Sequence, residues 1–197
     1  MVHMSDVMCA LIAKECDEGA TPCDAITASF TKMPGEIVGL LLSLSTPKKI
    51  AWSKINRPMF LSFSSHGAYL ASCPIAFPED AADPINLPEL SSGYVTKNSF
   101  TAKKYENPPI NVAVADAKTI HDAYDTIVEL LSEERSFNTL KVGHLFPKSD
   151  GILAAAGLKY SILYSLWREG KLDIKKIISA GKVENTTTTA FTLKLKS

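Results

Sequence analysis

Four cysteines and four histidines are the side chains best suited to nucleophilic or metal chemistry in this sequence of 197 residues. Metal sites and redox pairs need such residues close together in recurring spacings. Cys9, Cys16, Cys23 and Cys73 form no CxxC pair, and the sequence holds no HExxH and no glycine-rich phosphate loop. Cys9 and Cys16 stand seven residues apart on a helical stretch and are expected on one face as small buried hydrophobes. Cys73 has no His or Lys near it in sequence to lower its pKa, so burial is expected rather than reactivity. His66 falls in a turn and His121 and His144 on helical stretches, at none of the spacings of a metal set or a catalytic triad. Asp6 falls in the first turn of a helix, where a carboxylate complements the helix dipole whether or not it binds anything. No metal and no cofactor are expected.

These groups are carried by a chain of ordinary globular composition, 46% hydrophobic and 21% charged, long enough for one large domain or two small ones. Lys+Arg and Asp+Glu are both 21, so a net charge of zero gives the whole molecule no electrostatic reason to seek nucleic acid or an anionic membrane. No apolar run approaches the ~20 residues of a membrane span, and the start has no signal-peptide pattern. The cytoplasm is the expected location, and there the Asn185-Thr186-Thr187 sequon carries no meaning.

Two helices are expected first. Ser5 caps one whose apolar residues Val7, Met8, Leu11 and Ile12 follow helical spacing, and Gly19 lies beyond its end. Thr21, Pro22 and Asp24 start the second in the manner of a capping box, with Ile26, Phe30 and Met33 as its buried stripe and Pro34-Gly35 as its stop. From Gly35 to Ala76 four strand-like runs follow, broken at Ser45-Thr46-Pro47, Asn56-Arg57-Pro58 and Ser64-Ser65-His66-Gly67. This predicts an antiparallel meander. Ile37 to Leu44 is almost continuously apolar, as in a strand covered on both faces. Pro74 to Pro88 holds four prolines and predicts no regular element. Leu90 to Thr96 and Ser99 to Lys103 predict two short strands around Lys97-Asn98.

Glu106-Asn107-Pro108-Pro109 reads as a linker, which divides the chain into residues 1–106 and 107–197. Beyond it Ile120, Tyr124, Ile127, Val128 and Leu131 form a helical stripe, Ser136 caps a short helix through His144, and Asp150 caps a third helix that Gly170 stops. Leu172, Ile174 and Ile178, then Phe191, Leu193 and Leu195, predict a long hairpin with residues 184–189 at its tip. Three helices and a hairpin are the element order of a winged-helix-like module. Its third helix would read DNA only with basic residues on its exposed face, and between Gly151 and Gly170 there are only Lys159 and Arg168. Lys175, Lys176 and Lys182 suit a solvated edge that blocks strand addition. A packing or dimerisation module is the favoured reading.

Three places in the first part carry a family resemblance. Ser5-Asp6-Val7-Met8 stands where class II glutamine amidotransferases have a Ser/Thr-Asp-Thr/Ser-Glu-Val helix start. Lys49 to Lys54 with Arg57-Pro58-Met59 is similar to their Arg-Gly-Ser-Pro-Leu strand and turn, and Tyr69-Leu70-Ala71-Ser72 to their Phe-Leu-Ala-Ser-Asp strand. Gly35-Glu36-Ile37-Val38-Gly39-Leu40 also resembles one of their strands. The chain thus resembles the later half of this amidotransferase domain, the N-terminal-nucleophile type at the front of glucosamine-6-phosphate synthase.

The resemblance implies an α+β fold, a partial Ntn-hydrolase-type antiparallel sheet with helices, followed by the winged-helix-like region. It also implies glutamine as the small molecule, with Asp6 facing its α-ammonium. In that family a cysteine at position one attacks the amide, activated by its own α-amine. This chain starts Met1-Val2-His3 and has no such group, so it is expected to be inactive alone and to pair with a complementing chain. Losing central strands is expected to leave Ile37 to Leu44 uncovered and to drive self-association. A non-enzymatic regulatory or interaction protein is the alternative.

Overall fold

Helix α1 (Met4–Asp17) is capped ahead of the expected Ser5: His3 is the N-cap, and its Nδ1 accepts the Ser5 N–H at 3.3 Å. Asp6 closes a capping box by accepting the His3 N–H at 3.3 Å. Ser5 therefore lies inside the helix, because the imidazole already satisfies the first-turn donor. Helix α2 (Pro22–Lys32) starts as predicted, with the Asp24 N–H donating to Thr21 Oγ1 and Ile26 and Phe30 buried. A computed structural model gives this architecture for residues 3–148, 151–180 and 185–196, with the backbone alone at Ser179.

Strands β1 (Val38–Leu42), β2 (Ile50–Lys54), β3 (Phe60–Ser64) and β4 (Gly67–Ala71) occupy the four predicted runs. They do not form one meander. β1 and β2 pair as a hairpin in a sheet that continues through β6 (Ser91–Val95) and β7 (Lys103–Lys104), in the order β1-β2-β6-β7. β3 and β4 pair in a second sheet, where β5 (Ile85–Asn86) flanks β3. Trp52, Met59, Leu61, Leu87 and Val95 form a buried cluster with residues from both sheets, so β3 packs over β2 where a meander would place it beside β2. α1 and α2 contribute Ile12, Ile26 and Phe30 to another cluster with Ile55 and Tyr105. The short pairing of β5 also falls within the Pro74–Pro88 stretch from which no regular element was expected; a 3-10 turn spans Pro74–Ala76.

The doubly covered strand is β2, not Ile37 to Leu44. Ala51 to Lys54 are all buried, whereas Leu40, Leu42 and Leu44 are 51%, 77% and 100% exposed. An unbroken apolar run marks a buried strand only when the sheet continues beyond it, and β1 lies at an edge. One glycine fixes the far side of this sheet. A Cβ on Gly93 would stand 1.9 Å from the Thr101 carbonyl oxygen, so only glycine permits the close approach.

Past the Pro108-Pro109 pair, β8 (Val112–Ala113) runs parallel to β10 (Ile152–Leu153), and Val112 and Ile152 pack against the α1–α2 cluster. Helix α3 (Ala117–Leu130) is capped by Asp116, whose Oδ1 accepts the Thr119 N–H at 2.7 Å. Ile127 and Leu131 are buried as predicted, but Ile120 is 47% exposed. In place of the short helix from Ser136 to His144 there are strand β9 (Arg135–Ser136) and two 3-10 turns, Phe137–Thr139 and Gly143–Leu145. Leu140 and Val142 are both buried two residues apart, a spacing that suits extended backbone and not a helix.

Asp150 lies outside the described residues. Helix α4 (Ala155–Arg168) starts after it, with Ala154 as an N-cap that makes no side-chain bond. Gly170 at φ 70° ends α4 with a Schellman pair, Gly170 N–H to the Trp167 carbonyl and Lys171 N–H to that of Leu166, both 2.9 Å. β11 (Leu172–Ala180) and β12 (Thr187–Leu195) make the long hairpin, and β9 adds to β12. Their inner face joins α3 and α4 in a third cluster around Leu163 and Leu166. The fold is α+β with several antiparallel sheets, and no helix among the described residues is long and apolar enough to cross a membrane.

Candidate functional site

Both sheets of the first part stop on the same side. β1 is the last strand of one and β4 of the other, and a groove of about 390 Å³ between them is lined by Val38 to Leu40, Met59 and Leu70 to Ser72. A second groove of about 610 Å³ runs on the other side of β1, between it and the helices. Its walls are Met4, Met8, Ile12, Phe30 and Met33, so it is apolar. β1 thus offers an unpaired backbone edge between two apolar grooves, with no charged residue from Ile37 to Leu44 to deter strand addition.

Asp6 sits at the rim of this region. It is exposed, on the same first turn of α1 as groove residues Met4 and Ser5, and its carboxylate holds the His3 N–H. Its capping bond is a structural role that any ligand would share.

Neither Cys73 nor Cys23 is an activated nucleophile. Burial pushes the Cys73 thiol up, and the Ile75 N–H and the Lys159 ammonium, which pull it down, do not offset this. Lys159 is the cation that the sequence near Cys73 did not reveal. Burial also raises Cys23. Cys9 is exposed and lines the apolar groove while Cys16 is half-buried, so the pair is not the buried face that the seven-residue spacing suggested. That spacing puts two residues on one side of a helix without saying whether anything covers it. Among the described residues no group of three metal-ligating side chains converges.

A cavity of about 440 Å³ with both charged and apolar walls lies where the two parts of the chain meet. Asn56 is 2% exposed in its wall, and its Nδ2 donates to the Leu153 carbonyl at 2.9 Å and to Glu36 Oε1 at 3.4 Å. A carbonyl only accepts, so the amide's orientation is fixed and Oδ1 is left buried with no donor. Such an orphan acceptor costs about 1–3 kcal/mol. Arg57 pairs with Glu36 at 2.5 Å. Lys159 stands over the rings of Phe137 and Tyr160, 4.6 and 5.0 Å from their centroids, and burial pushes its ammonium below the ordinary range. The first turn of α4 and Lys141 complete the lining. Asn56 was expected only as a turn residue, and Arg57 as a turn residue and part of the Arg57-Pro58-Met59 resemblance; the partner of Asn56, Leu153, is 97 positions away, and nothing local signals it.

Lys54 is the other buried polar centre. Its ammonium is fully covered, 3.0 Å from both Glu89 Oε1 and Asn86 Oδ1, and it also donates to the Leu87 carbonyl. Burial lowers its pKa and the Glu89 carboxylate opposes that shift. Each of its donors has an acceptor, so it ties β2 to the 86–89 segment and presents nothing to a ligand. No protein-family model matches the chain, and no curated protein matches it either.

Proposed function

We propose that this chain is the scaffold part of a glutamine-amidotransferase-like domain, completed by a nucleophile-bearing segment that adds strands to β1 and β4. The observation that carries the reading is the pair of sheet edges open on one side, flanked by apolar grooves and free of charge. Asp6, on the α1 turn beside them, is the residue that would face the α-ammonium of glutamine. Burial raises the Cys23 and Cys73 thiols, which fits a scaffold that relies on another segment for chemistry. In its absence a second copy of the chain would take the same edge.

The test is glutamate release from glutamine, by these residues alone and with the segment encoded immediately upstream, supplied in cis or in trans. The expected result is no turnover alone, turnover with the added segment, and loss of it in Asp6→Ala. Turnover that Asp6→Ala leaves intact would sink the assignment of Asp6, and no turnover in any combination would sink the reading as a whole.

A second reading, a regulatory module that binds a protein partner through residues 107–197, is favoured by one observation. The order α3, β9, α4, β11, β12, with β9 paired to β12, supports a winged-helix-like arrangement. DNA is the less favoured partner because both basic residues of α4 are engaged, Lys159 over two rings and Arg168 with Asp83 at 3.3 Å. Salt-sensitive binding to duplex DNA would reverse that preference.

A further inference from the structure

One end of the first part gathers lysines beside exposed leucines, although the whole chain has no net charge. Three loops meet there. Residues 43–49 join β1 to β2, the turn after β6 holds Lys97, and the β3–β4 turn holds His66. Ile50 pairs with Val95, which sets the first two loops side by side, and the Lys97 side chain lies against Gly67 of the third. A depression of about 380 Å³ between them is lined by Lys48, Lys49, Lys97 and His66 with Leu42 and Pro47, and no carboxylate lines it. Asp80, 4.0 Å from His66, is the one acidic partner of this set among the described residues. Lys49 stands over the single ring of Tyr94 at 5.4 Å, a contact that brings no compensating charge to an exposed ammonium. These lysines do not protect a sheet edge. Lys48 and Lys49 lead into β2 and Lys97 follows β6, both inner strands, whereas the edge strand β1 carries no charge. Leu44 is fully exposed in the same loop as Lys48 and Lys49. The loop holds its own shape, with the Thr46 N–H donating to the Ser43 carbonyl at 3.1 Å and the Lys49 N–H to that of Thr46 at 3.0 Å.

We propose that this end of the molecule docks on an anionic phospholipid bilayer. Leu44, with Leu42 beside the depression, enters the boundary between headgroups and acyl chains, and Lys48, Lys49 and Lys97 lie at the headgroup phosphates. Binding of this kind adds apolar burial to the attraction of lysines for a negative surface. That attraction is local, since charges are screened beyond about 8 Å at physiological ionic strength, so a neutral chain can carry a basic docking face. Nucleic acid would use the cations alone and leave the leucines exposed, whereas a bilayer takes both. The inference does not rest on the amidotransferase reading, because strand addition would use the backbone of Val38 to Leu42 and bilayer contact uses the side chains of the loops.

The experiment is cosedimentation of the full chain with vesicles of phosphatidylcholine alone and of equal parts phosphatidylcholine and phosphatidylserine. Binding should appear with the mixed vesicles only and should weaken as salt is raised. Lys48→Gln and Lys97→Gln should each weaken it about fivefold, the effect of one lysine at a charged surface. Leu44→Ser should weaken it about tenfold through lost apolar burial. All three side chains are exposed, so the variants keep the fold. Lys118→Gln removes the same charge from α3 and should leave binding unchanged. No binding to the mixed vesicles, or equal losses in Lys118→Gln and in the loop variants, overturns the proposal. Salt-sensitive binding to duplex DNA that Lys48→Gln weakens and Leu44→Ser does not, without binding to vesicles, overturns it in favour of a nucleic-acid face.

Discussion

β1 and β11 each end a sheet, and the two edges are built differently. From Ile37 to Leu44 there is no charged side chain, and Leu40, Leu42 and Leu44 face outward. β11 also exposes apolar residues, Ile177 and Ile178, but Asp173, Lys175 and Lys176 precede them on the same strand, and Lys175 is tied to Glu134 at 2.8 Å. Charge on an edge strand deters pairing with another chain. The second region therefore has a finished boundary, whereas the first ends where another strand would fit. The lesson is that the two halves differ less in core quality than in whether their sheets are closed to further strands.

The strongest way to break the comparison is through the cores. Trp52 is fully buried in the first region, and Trp52→Ala should cost about 3–5 kcal/mol. Trp167, packed on the second region's cluster, is then the remaining tryptophan, so its fluorescence in a denaturant titration reports that region. If the regions are separately stabilised, the Trp167 transition stays at its original midpoint while the circular dichroism of the whole chain shifts. Coincident shifts would show one cooperative unit.

A smaller effect comes from pH. Tyr105, held by Ser53 at 2.5 Å, has its phenol pushed up to about 12, chiefly by burial. The folded state then keeps a proton that the unfolded state gives up near 10. Stability from this group is complete below pH 10 and is lost as pH rises toward 12, a loss on the order of 2 kcal/mol. Tyr105→Phe should flatten that part of a stability-against-pH curve, and an unchanged curve would refute the assignment.

The caps compare the regions at about 1 kcal/mol each. Thr21→Ala in α2 and Asp116→Ala in α3 remove equivalent first-turn bonds, and equal shifts in denaturation midpoint are expected. The smallest change in stability, within about 0.5 kcal/mol, should come from Leu42→Lys with Leu44→Lys. These two substitutions give β1 the protection that β11 already has. Light scattering should show association of the parent chain and its loss in the double variant; a monodisperse parent would remove the reason for the contrast.

What the sequence made legible was local. Thr21, Pro22 and Asp24 start α2, and Gly170 stops α4, because capping and positive φ depend on neighbours a few positions away. The β1–β2 and β3–β4 hairpins of the first region also followed from their turns. The pairing of β2 with β6 did not, since Ala51 and Tyr94 are joined only through tertiary structure, and neither strand's alternation names its partner. An edge and a centre read alike in an apolar run such as Ile37 to Leu44. For the same reason the cavity beside Asn56 was invisible, while Asp6, singled out by a resemblance, is in the fold a member of the capping box of α1.

Residues 55–56 connect more than their place in a turn suggests. Ile55 donates to the Ile37 carbonyl at 3.0 Å and accepts from the Leu90 N–H at 3.1 Å, and Asn56 reaches Leu153. Such a joint forms only when three distant stretches of chain have already met, so it belongs to the end of the folding reaction. Asn56→Ala should consequently steepen escape from the native state and leave the approach to it untouched, moving the unfolding arm of a chevron plot alone. The lifetime of the native state and its equilibrium stability then fall by the same factor, and the approach to the fold is spared.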